Sequence, residues 1–420
     1  MYPYKIKLIM DTTINGEHHH LNTVEEKLEV FHAIVRNYFI IQDITVGKNT
    51  SDFLIRYRGK LKSQNSELAY DQISDHLKPL MVTPLFRTEE DNQVIYLMDG
   101  VQTVTQFNSK TNLILFILTL ISVWVTGGLY ALGADFNGFN LESVTAILTE
   151  GWPFAISILA ILGAHEMGHY FIGRKHKVNV SLPYFIPLPI ISPFGTMGAF
   201  INMKSVPKNQ KQLFDIGVAG PLSGLIVAIP VLLIGLSLSE VQPLPATMPE
   251  GMAFQIEGNS ILYLLSKYII FGNLLPSPAT YGEVTPFLYW IKYFFTGQPI
   301  PLGGMDVMLH QVAWAGWAGI LVTALNLIPV GQLDGGHILN SLLGKNARKL
   351  VPLIIGLMVL LGFVWSGWWL WAAIIFFMSR IPASPLDTIT KIDKKRKLLG
   401  LVMMIIFILV FTPVPIIVIF

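Results

Sequence analysis

Trp152-Pro-Phe-Ala-Ile-Ser-Ile-Leu-Ala-Ile-Leu-Gly-Ala-His-Glu-Met-Gly-His-Tyr-Phe-Ile-Gly-Arg-Lys-His-Lys177 is the stretch on which the rest of the chain turns. From residue 152 to 173 it is apolar and long enough to cross a bilayer as a helix. Near its end, however, stand His165, Glu166 and His169. Ionisable groups inside a span cost a few kcal/mol each on insertion scales, so they are rare there and usually functional. On a helix His165 and His169 lie at i and i+4, one above the other on one face. That spacing lets two imidazoles bind one zinc ion, with Glu166 beside them as general base. A polar cluster between helices, or a proton relay, would also account for ionisable groups at this depth. A third ligand on another segment decides between these readings.

The rest of the chain reads as mostly membrane. Of 420 residues 52% are hydrophobic and 13% charged, about half the charged fraction of soluble domains, and the mean hydropathy is positive. The formal charge of +2 comes with no basic patch interleaved with aromatics, which argues against nucleic acid as a partner. There are no cysteines, so a metal must be held by histidines and carboxylates. The N-terminus, Met-Tyr-Pro-Tyr-Lys-Ile-Lys, reads as neither a signal peptide nor a transit peptide.

The expected fold is an α-helical multi-span membrane protein with a small N-terminal α+β soluble domain. Residues 1–108 form that domain, cytoplasmic and regulatory in reading, ferredoxin-like in expectation. Asn22-Thr23-Val24-Glu25 resembles a capping box, opening a helix with Leu21, Val24, Leu28, Phe31 and Val35 on one face. Residues 52–61 alternate as a half-buried strand, a second helix covers 66–78, and 81–87 with 93–98 make a hairpin. His18-His19-His20 could touch a metal, but nothing places a further ligand, and they read as an exposed polar loop. Residues 109–150 hold the first span (113–132) and an outer loop. Residues 151–340 form the core, with the His-Glu span, a third span at 213–238 and a fourth at 312–329. Within this core, residues 181–204 are hydrophobic but rich in proline and glycine. Irregular backbone at membrane depth needs protein or water to satisfy it, so this part reads as a re-entrant hairpin; the alternative is a loop on the headgroups. Residues 239–310 are an outer insertion whose apolar pieces 261–271 and 286–295 are too short to span. Residues 341–420 supply a helical hairpin (350–378), a basic loop and a last span (398–411).

Positive charge orients the spans. Basic residues cluster at 174–177, 204–211, 345–349 and 391–397, whereas 134–150 has none and the insertion only Lys267 and Lys292. This places the N-terminal domain and the basic clusters in the cytoplasm, and requires 350–378 to turn back as a hairpin rather than cross once. His165 and His169 then lie in the cytoplasmic half of the membrane.

At the cytoplasmic end of the fourth span stands Asn326-Leu-Ile-Pro-Val-Gly-Gln-Leu-Asp334-Gly-Gly-His337. Asp334 is a carboxylate at the depth of the histidine pair, and two histidines with one carboxylate leave zinc a fourth position for water. His165-Glu-Met-Gly-His169 followed by this second motif resembles the site-2 protease family of intramembrane zinc metalloproteases, over roughly residues 150–340. Gly195-Thr-Met-Gly198 and Ala219-Gly-Pro-Leu-Ser-Gly224 are also similar to the family's pattern. The whole looks most like prokaryotic relatives of its chloroplast branch, which implies a prokaryotic plasma membrane. No PDZ-like module is recognisable in 239–310.

The resemblance implies Zn2+ held by His165, His169 and Asp334, with Glu166 as base and Asn326 near the substrate carbonyl. It implies single-span membrane proteins as substrates, cut within or next to their membrane segments in the bilayer. A transmembrane helix hides its peptide bonds, so the substrate must unwind, and Gly195, Thr196, Gly198 and Asn202 are candidates to hold it as an added strand. His337 could donate to the oxyanion or serve structure. The competing class is a metal or proton transporter using the same side chains, against which no inverted repeat is visible.

Overall fold

The computed structural model describes residues 13–14, 17–18, 24–48, 51–90, 92–101, 108–133, 136, 138–247, 254–380 and 384–419. Contacts divide the chain into two compact units. One comprises Met1–Gln106, Lys204–Leu213 and Ser384–Asp393; the other comprises Phe107–Met203, Phe214–Ala383 and Lys394–Phe420.

In the first unit a small ladder of β1 (Thr13–Ile14) and β2 (Glu17–His18) precedes α1 (Val24–Tyr38), which runs directly into β3 (Phe39–Val46). Next come β4 (Ile55–Leu61), α2 (Ser66–Leu77) and the hairpin β5 (Val82–Glu89) with β6 (Asn92–Asp99). The sheet order is β3-β4-β6-β5, antiparallel throughout. Among the described residues this α-β-β-α-β-β order is the ferredoxin-like β-α-β-β-α-β unit entered one strand later, a circular permutation of the expected topology. Along β4, Ile55 and Tyr57 point into the core and Arg56 and Arg58 do not, as the alternation requires. Phe31 and Val35 from α1, Tyr70, Ile73 and Leu77 from α2, and Phe86 and Ile95 from the sheet complete that core. Residues 22 and 23 of the capping box, Leu21, His19 and His20 lie outside the described residues.

The basic segment 204–213 and residues 384–393 belong to this unit, although the sequence reading ended the domain at residue 108. Lys208 Nζ lies 2.6 Å from Asp71 Oδ1 and Lys211 Nζ 2.7 Å from Glu67 Oε2. Partly exposed pairs of this kind contribute at most about 1 kcal/mol each. Backbone pairing does more. The Phe86 N–H donates to the Leu386 carbonyl at 3.0 Å, and the Thr388 N–H donates to the Phe86 carbonyl at 3.1 Å. The second segment thereby covers the open edge of β5, an edge that would otherwise invite pairing with another chain.

The second unit opens with α3 (Ser109–Leu132), α4 (Leu141–Glu150) and α5 (Trp152–Lys175). A hairpin of β7 (Tyr184–Pro187) and β8 (Thr196–Phe200) leads to α6 (Gln210–Ser237), whose first turn belongs to the other unit. α3, α5 and α6 are long and apolar enough to cross a membrane. The outer loop expected at 134–150 contains α4, which the Asn140 side chain caps by accepting from the Ser143 N–H at 2.8 Å. The expected fourth span is shorter than read. After β9 (Glu240–Pro243), β10 (Phe254–Glu257), α7 (Ile261–Phe271), α8 (Pro286–Thr296) and β11 (Met305–Met308), α9 (Gln311–Asn326) has 16 residues, about 24 Å of helix. Ten of those residues are buried, so α9 is sheathed by protein.

α10 (Asp334–Leu343) follows, then α11 (Ala347–Leu361) and α12 (Gly367–Met378). α11 and α12 are two separate helices, each under about 23 Å long. The Trp369 indole N–H donates to the Val359 carbonyl at 3.1 Å, and Met358, Trp368 and Ile375 share one core with Ile328 and Val330. α13 (Lys394–Val410) and β12 (Ile416–Ile419), which pairs with β10, end the chain.

The insertion is tied by β9 pairing with β11 and by a buried polar cluster. Tyr263 Oη donates to Glu257 Oε1 at 2.7 Å, Lys267 Nζ lies 3.7 Å from the same oxygen, and Asp306 is buried. Burial first, and the Glu257 charge second, push the Asp306 carboxyl up to about 7, with Lys267 opposing. A carboxyl raised on folding contributes stability that is fully present below its ordinary range and lost as pH rises through the folded value. Asp306→Asn keeps the shape and removes the titration. Its melting temperature relative to the parent should climb between pH 4 and about pH 7 and level off above. A difference that stays flat with pH would refute this account of the cluster.

Candidate metal centre

α5 buries His165, Glu166 and His169. Asp334 comes to them as the first residue of α10, at the end of the loop that leaves α9. His165 Nε2 and His169 Nε2 stand 3.2 Å apart, and each lies 3.3 Å from Asp334 Oδ2. Zinc bonds of about 2.0–2.1 Å at tetrahedral angles separate neighbouring ligand atoms by about 3.3 Å. The triangle is therefore one face of a tetrahedron sized for zinc, and its donors, two imidazole nitrogens and one carboxylate oxygen, are a set zinc accepts. Among the described residues these three form the group able to hold such an ion.

Neighbouring backbone aims the donors. His169 Nδ1–H donates to the Ile216 carbonyl on α6 at 2.7 Å, leaving Nε2 free for the metal. α6 comes this close because both helices are small at the crossing. A Cβ on Gly220 would lie 2.0 Å from His169 Nε2, and one on Gly168 would lie 2.5 Å from the Ala219 carbonyl oxygen. The Asp334-Gly-Gly motif has a similar cause: a Cβ on Gly335 would meet the Leu327 oxygen at 1.9 Å, so the loop closes only around glycine. Asn326, the last residue of α9, sets its amide nitrogen 3.3 Å from His165 Nε2. His337 is buried one turn after Asp334, its Nδ1 without a hydrogen-bond partner among the described residues.

The β7–β8 hairpin lies along α3. Asn112 Nδ2 donates to the Leu182 and Pro183 carbonyls at 2.8 and 3.0 Å, Ser122 Oγ to the Gly195 carbonyl, and Tyr130 Oη to the Pro193 carbonyl. Residues 112 to 130 span about 27 Å of helix. At its other end the hairpin reaches the centre, where the Ile201 backbone lies beside the Glu166 carboxylate. The four residues expected to hold an unwound chain sit on this hairpin in different settings. The Gly195 carbonyl is engaged by α3. Thr196 is buried, its Oγ1 donating to the Ile186 carbonyl at 2.8 Å and accepting from the Gly198 N–H at 3.0 Å. Gly198 pairs with Ile186, and the Asn202 side chain is exposed.

Sequence reasoning missed Ile216 and Ile201, which act through their backbones and leave no trace in residue type. It took Gly168 and Gly220 only as members of the His-Glu motif and of the Ala219–Gly224 motif; the signal that could have found them is Gly220 lying in a helix that must touch the histidines.

Comparison with known proteins bears on the family. Peptidase family M50 matches residues 153–365. A chloroplastic protein of Arabidopsis thaliana named "Probable zinc metalloprotease EGY1" is 29% identical over 280 residues, covering 66% of this chain and 45% of that protein. The Arabidopsis thaliana EGY2 protein of the same description is 28% identical over 312 residues, 71% of this chain and 50% of its own. The EGY1 protein of Oryza sativa subsp. japonica is 31% identical over 281 residues, covering 66% and 42%. The chain thus spans about half the length of the curated relatives it matches. These relatives are chloroplastic, so they do not point to the prokaryotic membrane expected from the sequence. No solved structure matches. The match across half of the chain, over the segment that holds His165, His169 and Asp334, establishes that this chain belongs to peptidase family M50, the site-2 protease family of zinc metalloproteases.

Proposed function

We propose that the chain is an intramembrane zinc metalloprotease that hydrolyses peptide bonds within or next to the membrane segments of single-span proteins. The observation that carries this reading is the 3.2–3.3 Å triangle of His165, His169 and Asp334 with Glu166 adjacent in the chain. Zinc, when bound there, supplies Lewis-acid polarisation of the scissile carbonyl and acidifies water. His165, His169 and Asp334 hold the ion. Glu166 accepts the attacking water's proton and passes it to the leaving amine. In this reading the Asn326 amide, 3.3 Å from His165 Nε2, donates to the carbonyl oxygen as negative charge develops on it.

A membrane setting is supported by the three long apolar helices and by the hairpin along α3. A hairpin held by α3 side chains has part of its backbone satisfied without water, as the hydrocarbon region demands, which favours the re-entrant reading over a loop on the headgroups. β8 pairs with β7 on one side only among the described residues, so its other edge can take an unwound substrate as an added strand, with Gly198 within it and the exposed Asn202 side chain just beyond its end. In this reading the N-terminal domain and residues 380–397 face the cytoplasm.

Orientation is testable because the chain has no cysteine. Lys391→Cys should resist an impermeant thiol reagent in intact cells and label after permeabilisation, while Glu283→Cys in the insertion should label at once. Ready labelling of position 391 in intact cells would overturn the topology.

The chemistry is tested on four variants, with zinc content and cleavage measured on the same preparations. Replacing His165, His169 or Asp334 by Ala should lower both. Glu166→Gln should keep zinc and lose cleavage by about 10²–10⁴-fold or more. A transporter using these side chains has no cleavage to lose. Loss of zinc from Glu166→Gln would sink the base assignment, and cleavage at the parent rate would sink the protease reading.

A further inference from the structure

α6 gives the metal centre no side chain, yet it fixes one ligand through the Ile216 carbonyl. The residue before Ile216 is Asp215, and its carboxylate ties three helices together. Arg396, in the first turn of α13, donates Nε to Oδ1 and NH2 to Oδ2, each at 2.7 Å. His176, the C-cap of α5, places Nε2 2.9 Å from Oδ2. A two-pronged guanidinium–carboxylate pair fixes direction as well as distance, which a point charge does not.

The arrangement has a geometric reading. His169 and His176 are seven residues apart, nearly two full turns, so they lie on one side of α5. Both face α6: His176 meets the Asp215 side chain, and His169 meets the next carbonyl. On a helix the side chain leans toward the N-terminus and the carbonyl points toward the C-terminus, so residues 215 and 216 reach α5 at two heights. Two attachments at two heights fix both the sliding and the rotation of α6 against α5. With Gly220 in contact with the His169 ring, a small slip of α6 would either break the Nδ1 bond or press the helix backbone onto the ligand.

We propose that Asp215, through Arg396 and His176, is a positioning residue that sets α6 so that the Ile216 carbonyl holds His169 in its metal-binding orientation. This rests on the metalloprotease reading above. Losing such an outer partner costs about 10–100-fold in metal affinity or activity in well-studied sites. The test uses the full chain purified in detergent. Zinc per chain is followed over time in EDTA, together with helical circular dichroism and kcat and KM for a single-span substrate.

Asp215→Asn and Arg396→Gln should release zinc at least about 10-fold faster than the parent, with unchanged helicity and with the loss in kcat rather than KM. Arg396→Lys, which keeps the charge and removes the fork, should fall between them and the parent, and it carries the test if Asp215→Asn does not fold. Lys208→Met, which breaks an ion pair of the other unit, should release zinc at the parent rate. Parental release from Asp215→Asn, or equally fast release from Lys208→Met, would overturn the positioning role while leaving the protease reading intact. A parent that holds no zinc would take both down.

Discussion

Three donor atoms must be held within 3.3 Å of one another in a buried place, and much of the second unit follows from that demand. Imidazole and carboxylate groups out of water are costly unless fully partnered. A single helix can present two of them because i and i+4 share a face, but the third must arrive from elsewhere in the chain. It arrives where α9 ends. The chain turns sharply and α10 begins, so Asp334 enters at a helix N-terminus, the end of a helix that favours negative charge. The turn is possible only because Gly335 has no side chain to strike the Leu327 carbonyl. One glycine thus fixes the place of one ligand.

The same demand shapes the helix that gives no ligand. A histidine that binds metal through Nε2 needs a partner for its Nδ1–H. The usual partners are carboxylates, backbone carbonyls or water. Here Asp334 and Glu166 already bring two carboxyl groups to the centre, and a third would add like charge where screening is weak. A neutral backbone carbonyl avoids that. It also requires the partner helix to come into contact, which explains glycine at 168 and 220 on the two sides of the crossing. Small residues at helix crossings are general in membranes. In this chain they are also what admits a carbonyl to a ligand.

Much of this was legible in the sequence because it rested on periodicity and on residue types with narrow chemistry. The apolar runs marked α5 and α6 to within a turn, the two apolar pieces read in the insertion coincide with α7 and α8, and the hairpin read at 81–87 with 93–98 is β5 with β6. The His-Glu-x-x-His spacing with a later Asp-Gly-Gly is informative because few residue types bind zinc. What was hidden depends on long-range pairing. β12 forms only because β10 lies beside it, some 160 residues earlier in the chain. Residues 384–393 joined the N-terminal fold by backbone bonds to Phe86, and their positive neighbours pointed only to the side of a membrane. α9 looked like an ordinary span because burial by protein and burial by lipid select the same side chains. α4 was passed over because ten residues with two glutamates carry too little apolar signal to stand out from a loop.

Backbone contributions explain why the ligands could be read and the groups that aim them could not. Ile216 serves through a carbonyl, and Ile201 meets Glu166 with its backbone, groups that every residue possesses, so no motif marks them. Their effect is set by where α6 and β8 lie, and those positions are set by side chains at a distance: Asp215 with Arg396 for the helix, Asn112 and Ser122 for the hairpin. Position errors matter steeply here, because a hydrogen bond of 2.7 Å to a ligand weakens over a few tenths of an ångström and changes of angle. A centre built this way keeps the carbonyl whatever side chain stands at residue 216, but that side chain is buried, so only a change that leaves the helix in place is tolerated. It does not tolerate change in the residues that place the helix, and these carry polar chemistry at the ends of α5, α6 and α13 although they touch neither metal nor substrate.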